Sequence, residues 1–264
     1  MSAPTVEQRS TMTADRLNPI GLEELDLHAA LQTRVDRKYL VPTPALDGIL
    51  RGLLSAEPGV RVLEIDGQRD FGYASQYFDT PDLASFRSAA HRRRRRFKVR
   101  TRTYLDSGLC RLEVKTRGSR GTTVKHRTDH DHAPDSLGTG VEFVGEVLRM
   151  TRALPVDPRT LEPTLRTEYR RMTLLLPQTA SRATIDTHLE WYDGGAHLAV
   201  GDVAVVETKS GSQAGTLDRV LWARGIRPAR ISKFGAGLAA LHPELPATRW
   251  RRALDHQLDL TWND

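Results

Sequence analysis

His91–Tyr104 reads HRRRRRFKVRTRTY, with eight Lys/Arg and no acid. From Arg94 onward the run has a period of two. Arg94, Arg96, Lys98, Arg100 and Arg102 share one parity, and Phe97, Val99, Thr101 and Thr103 share the other. Strict alternation with aromatic and β-branched residues predicts a strand with one cationic and one apolar face. Alone, such a strand fits a solvated sheet face.

The same alternation recurs outward along the chain. Arg111, Glu113, Lys115 and Arg117 alternate with Leu112 and Val114, and Thr123, Lys125 and Arg127 with Val124 and His126. Arg34, Asp36 and Lys38 alternate with Val35 and Tyr39. Arg182, Thr184 and Asp186 alternate with Ala183 and Ile185, and Val206-Glu207-Thr208-Lys209 closes the set. Burying many like charges is costly without a counter-ion. Either the sheet is large and wet, or it curls around a polyanion.

The intervening segments complete the architecture. Leu22–Leu31 reads as a helix. Thr43-Pro44 and Thr80-Pro81 read as helix starts, N-cap then proline. Leu46, Ile49, Leu50 and Leu53 give a helical stripe, and Val144, Val147 and Leu148 another. Turns at Asp106-Ser107-Gly108 and Gly118–Gly121 make three successive strands an antiparallel meander. Thr164–Leu176 is a long strand whose charge parity slips near Glu168–Arg171, which suggests a bulge. Helices are expected around Leu217–Leu221 and at Lys233–Leu241. The expected fold is α+β: a closed antiparallel β-barrel of about eight strands, with short helices packed outside. Residues 1–20 are expected to be a mobile tail, 21–246 the barrel domain and 247–264 a C-terminal tail. In that last tail, Trp250, Arg251, Arg252, Leu254 and Leu258 could dock on a partner; packing on the chain's own barrel is favoured, since the apolar stripe is narrow.

Composition narrows the function. The net charge of +6 favours acidic partners. The single cysteine excludes an intramolecular disulfide and a cysteine-based zinc site. No apolar run approaches the ~20 residues of a membrane span, and the N-terminus lacks an apolar signal core. The expectation is a cytoplasmic protein without a transmembrane segment, with the inner face of the membrane and a membrane-protein partner in trans left open. P-loop, GxGxxG and GxSxG patterns are missing. His126, His130, Asp131 and His132 read as a loop rather than a metal site. The arginine run lacks interleaved stacking aromatics, against specific nucleic-acid binding.

Converging cations with few acids suit phosphoryl transfer, where the protein supplies positioning and electrostatics rather than a nucleophile. Arg can fork onto phosphate oxygens and Lys acts as a point charge. A carboxylate would hold Mg2+ or Mn2+ against the phosphates. Glu207 is the best candidate, its alternative being an ion pair with Lys209 or an arginine.

Short motifs in order add a resemblance: RKYLV at 37–41, YFDT at 77–80, RTRTY at 100–104, LEVKTRG at 112–118, LRTEYRRM at 165–172, IDT at 185–187, VVETKSG at 205–211 and ISKFGAG at 231–237. Together they resemble the VTC domain, the catalytic domain of the polyphosphate polymerase of the vacuolar transporter chaperone complex. That family belongs to the CYTH-like triphosphate tunnel metalloenzymes. The resemblance implies an ATP–polyphosphate phosphotransferase that binds ATP and inorganic polyphosphate. By position in its motifs it implies catalytic roles for Lys38, Arg100, Arg102, Lys115, Arg182 and Lys233. It implies substrate binding by Lys125, Tyr169, Arg171, Arg230 and Ser232, and metal binding by Glu207. Eukaryotic members carry lysine where Arg230 stands. Tunnel triphosphatases often carry Glu-x-Glu-x-Lys on the first strand; here the first acid is replaced by Arg34, which disfavours a two-metal triphosphatase. A tunnel triphosphatase or short-chain polyphosphatase, and a non-catalytic polyphosphate- or nucleotide-binding module, remain the alternatives.

Overall fold

A computed structural model describes residues 13–28, 35–118 and 123–263. Arg34, the end of the predicted first helix and residues 1–12 and 119–122 lie outside them. The strands are β1 (Asn18–Ile20), β2 (Val35–Pro42), β3 (Arg61–Leu63), β4 (Phe71–Asp79), β5 (Phe97–Tyr104), β6 (Cys110–Arg117), β7 (Thr123–Asp129), β8 (Glu162–Leu176), β9 (Ser181–Asp193), β10 (Ala196–Val200), β11 (Val203–Ser210) and β12 (Leu260–Asn263). The helices are α1 (Leu22–His28), α2 (Leu46–Ala56), α3 (Ala84–Ala90), α4 (Gly140–Met150), α5 (Thr216–Ala223), α6 (Lys233–Leu241) and α7 (Arg251–His256).

The six strands read from alternation, with β4 and the long β8, form one continuous antiparallel path: β7-β6-β5-β4-β8-β9-β11-β2. The path curls, bringing Lys115 of β6 into the field of Glu207 on β11. It does not close. Among the described residues β2 and β7 do not pair, so the lumen is a tunnel with an open seam. The outer edge, β7, is short, charged and largely exposed, which blunts it against pairing with another chain.

The remaining strands are short, and sequence reading did not find them. β1 lies parallel to β3, and β3 extends β8; β10 and β12 extend β9. Three to five residues are too few to show a period.

Helices cover the outer parity. Val144, Val147 and Leu148 of α4 pack on Phe97, Val99, Leu112 and Val114. The α2 stripe and Leu217, Val220 and Leu221 of α5 pack on Tyr39, Val41, Ile185 and Val206. α6 instead meets lumen-parity residues: Phe234, Ala236 and Leu238 cluster with Leu40, Tyr77, Leu165 and Tyr169. Two glycines permit this close packing. A Cβ on Gly235 would sit 2.2 Å from the Trp250 ring, and one on Gly237 2.5 Å from Trp191.

Local details refine the sequence reading. Neither threonine is an N-cap. The Thr80 hydroxyl accepts the Ala84 N–H at 2.9 Å, but α3 begins at Ala84 with Leu83 at the cap position and no side-chain cap. A 3-10 turn spans Thr43–Ala45 and α2 begins at Leu46 without a side-chain cap. The register does slip at Glu168–Arg170, but β9 supplies the extra residue, with His188 at φ 50°. The described parts of both predicted tails pack. Ala14, Leu17 and Ile20 are buried, as are Ala247, Trp250, Ala253 and Leu258. Among the described residues no helix is long and apolar enough to cross a membrane.

Candidate functional site

The curl gathers one parity from each strand into the lumen. β5 supplies Lys98, Arg100 and Arg102, and β6 supplies Glu113 and Lys115. β4 supplies Tyr73, Ser75 and Tyr77, opposite β5. β8 supplies Thr167, Tyr169 and Arg171; β9 supplies Arg182, Thr184 and Asp186. β11 and β2 add Glu207, Lys209 and Lys38. The N-terminus of α6 adds Ser232 and Lys233.

Three carboxylates organise these cations. Glu113 is 1 % exposed. Its Oε2 accepts Arg100 Nε at 2.8 Å and Nη2 at 2.5 Å, and Lys125 Nζ lies 3.3 Å from Oε1. Burial opposes its charge, but Arg100, Arg102, Lys115 and Lys125 overcome this and hold its carboxyl far below the usual range. Asp186 is also 1 % exposed. It accepts Arg171 Nε at 2.6 Å and Nη2 at 2.8 Å, and is in contact with Lys233. Burial again opposes its charge, and Arg171 and Lys233 keep it ionised. Glu207 lies 2.7 Å from Lys209 and 3.4 Å from Lys38. Its side chain is the most accessible of the three, at 16 %.

The cations still outnumber the acids. Among the described residues Arg102 forms no ion pair within 4 Å; it meets Ser75 Oγ at 3.5 Å and the Tyr73 ring at 5.6 Å. The charge of Arg100, then burial, push Lys115 well below its ordinary value. Burial, then Lys38, Arg100, Arg249 and Arg96, push Lys98 down to about 7. Tyrosine faces spread beneath the cations: Arg171 lies 5.2 Å from both the Tyr73 and Tyr169 rings, which stack 5.4 Å apart, and Lys233 lies 4.3 Å from Tyr169. Thr167 Oγ1, Tyr169 Oη and Thr184 Oγ1 are buried without a protein partner. All share the lumen parity. Buried hydroxyls without partners are costly, and phosphate oxygens would satisfy them.

The residues expected at the site separate into groups. Lys38, Arg100, Arg102, Lys115, Tyr169, Arg171, Lys233 and Glu207 converge. Lys125 sits at the seam, its side chain 39 % exposed. Arg182 is level with Lys209, and Asp26 of α1 lies 3.7 Å away. Ser232 receives a 2.6 Å hydrogen bond from Lys98 and one from the Gly235 N–H. Arg230 is exposed, two residues before Ser232. Lys98 and Lys209 are lumen cations outside the expected site set; parity was the signal for both. The hydroxyls of Thr167 and Thr184 share that signal, but their type carried no weight in a charge-based reading.

A divalent cation fits this lumen in one manner only. Among the described residues no group of three or more His, Cys, Asp and Glu could hold a metal. Glu113 and Asp186 are engaged by bidentate arginines. Of these three, Glu207 is the most accessible and could add a carboxylate oxygen in exchange for a lysine contact, the rest of the shell coming from phosphates and water, as Mg2+ sites commonly arrange.

Comparison with known proteins places this geometry. No curated protein sequence matches. PH1819 protein from Pyrococcus horikoshii OT3 is similar in structure at 11% identity and TM-score 0.45, over 76% of this chain and 96% of that one. HpAC1 from Hippeastrum, whose description reports a dominant triphosphatase activity, is similar at 18% identity and TM-score 0.44, over 77% and 94%. At these values the likenesses carry no statement about activity. The family model described as "VTC domain" matches residues 33–242, which span every lumen residue named above; this chain therefore belongs to the VTC domain family.

Proposed function

We propose that the chain is a metal-dependent polyphosphate polymerase, transferring the γ-phosphoryl group of ATP to phosphate or polyphosphate inside the lumen. Membership of the VTC domain family supports the broader class, a tunnel enzyme of triphosphate and polyphosphate chemistry. The observation that carries the reading is the excess of converging cations over three carboxylates, each of which is already paired with a cation. A linear polyanion relieves that excess along its length.

Lys38, Arg102 and Lys115 hold phosphate oxygens in this reading, with the hydroxyls of Thr167, Tyr169 and Thr184. Arg100 and Arg171 are fixed by Glu113 and Asp186, so their remaining N–H groups are pre-aimed. Lys233 and Ser232 orient one end of the chain at the start of α6. A terminal oxygen of the acceptor forms the new bond to the γ-phosphorus, the bond to the β–γ bridging oxygen breaks, and ADP leaves. No side-chain nucleophile is needed. A bound Mg2+ or Mn2+ would neutralise charge on the transferred group, with Glu207 holding it.

The test pairs wild type with Glu207→Gln, incubated with ATP and with Mn2+ present or absent. Wild type should make long-chain polyphosphate. The variant should lose about a hundredfold or more in turnover, while metal-free nucleotide affinity holds or rises as one negative charge leaves the lumen. Free phosphate as sole product would make the chain a tunnel triphosphatase, and tight binding without turnover a binding module. Wild-type, metal-dependent turnover in Glu207→Gln would exclude Glu207 as the essential ligand.

A further inference from the structure

We propose that the lumen continues outside the sheet as a guanidinium-lined groove of Arg92, Arg96, Arg117, Arg230 and Arg249, joined to it by Lys98, which holds the units of a phosphate chain that extend beyond the lumen. The proposal rests on the lumen reading above and adds a basis for chain-length preference.

Four separate segments build the groove. Arg96 carries the lumen parity one residue before β5. Arg117 ends β6, one step past the last β5–β6 pair, Phe97–Thr116. Arg92 lies just past α3 in the left-handed region, φ 56°, where the chain turns out of the helix. Arg249 Nη1 donates to the Ala89 carbonyl near the end of α3, at 3.3 Å. Arg230 stands two residues before Ser232, which receives the hydrogen bond of Lys98. The mutual fields agree with this placement. Burial, then Arg117 and Arg249, lower Arg96; burial, then Arg92, Arg230 and Arg117, lower Arg249. Lys98 feels Lys38 and Arg100 on one side and Arg249 and Arg96 on the other. The cationic surface is therefore continuous from lumen to groove.

The groove lacks the acids that discipline the lumen. Among the described residues none of its five arginines forms an ion pair with a carboxylate, whereas Arg100 and Arg171 inside each have one. Arginine forks suit phosphate oxygens. The surroundings favour a phosphate chain over other polyanions. Membrane docking calls for apolar side chains beside the cations, and the exposed large hydrophobics among the described residues all lie in other segments. Single-stranded nucleic acid calls for exposed aromatic faces, and the arginine run provides none. Arg249 also lies beyond the family match, which ends at residue 242. Its segment is anchored by buried Trp250.

The experiment measures the dissociation constants of tripolyphosphate and of long-chain polyphosphate, without nucleotide or metal. Wild type, Arg117→Ala/Arg249→Ala, Arg96→Gln and Arg249→Lys are compared, with melting temperature as a folding control. Wild type should bind the long chain more tightly. The double variant should lose about tenfold or more for the long chain, roughly 1.4 kcal/mol, and less than about twofold for tripolyphosphate. Arg96→Gln should shift affinity the same way, and Arg249→Lys should keep most of it. Equal weakening for both ligands, or for neither, overturns the groove. So does unchanged long-chain affinity with loss of binding to phosphatidylserine vesicles, which would assign the surface to a membrane. Failure of wild type to bind tripolyphosphate would instead reject the lumen reading. Tripolyphosphate binding with no preference for long chains rejects the groove alone.

Discussion

Glu113→Gln tests whether the lumen is built to be completed by an anion. Glu113 is the charge that fixes Arg100, with both side chains nearly buried, at 1 % and 8 % exposure. Removing one partner of a buried ion pair costs about 3–5 kcal/mol, because the other charge stays buried and uncompensated. Glutamine keeps the shape and one accepting oxygen, so the lower end, about 3 kcal/mol, is expected. In a chain of this size about 1 kcal/mol moves the melting temperature by roughly 2–4 °C, which gives a fall of about 6–12 °C. Tripolyphosphate should return most of it. A ligand at a hundredfold its dissociation constant stabilises by about 2.7 kcal/mol, and the variant's extra positive charge tightens binding. The assay is thermal unfolding of both proteins across a tripolyphosphate titration at constant ionic strength. A fall below about 2 °C, or one that the ligand does not reduce, would refute the account of Arg100 as a buried cation held by one acid.

Acid pH should act on Glu113 and Asp186 in the same direction. Their folded values are depressed, so the stability they confer is present above the unfolded carboxylate range and is lost as pH falls through the folded values; unfolding midpoints between about pH 2 and 6 read this out. Lys98 has the opposite sign. Its folded value is near 7 against about 10.4 unfolded, so its penalty is full below 7 and is relieved as pH rises from there. An incoming phosphate chain restores its proton, so affinity should weaken from pH 6 to pH 8, and Lys98→Met should flatten that slope in a calorimetric titration. Trp250→Ala should cost about 3–5 kcal/mol, since Trp250 is 1 % exposed against Phe86 and Gly235. Unchanged denaturant midpoints would show that the C-terminal segment is a detachable docking element.

The sequence by itself determined the strands and their faces. Period-two alternation is a local property of each stretch, so β5, β6, β9 and β11 were legible, and with them the side on which Arg100, Lys115, Asp186 and Glu207 lie. Family motifs added which of those residues belong together. Tertiary structure decided the rest. Whether the sheet closes depends on whether β2 and β7 meet, a long-range pairing that alternation within each strand cannot reveal. Which acid neutralises which cation depends on register. Glu113 takes Arg100 and Asp186 takes Arg171, leaving Glu207, the candidate metal ligand read from sequence, as the most accessible carboxylate of the three. The groove was hidden for the same reason: Arg96, Arg117, Arg230 and Arg249 come from four distant segments, and only folding brings their like charges into one field.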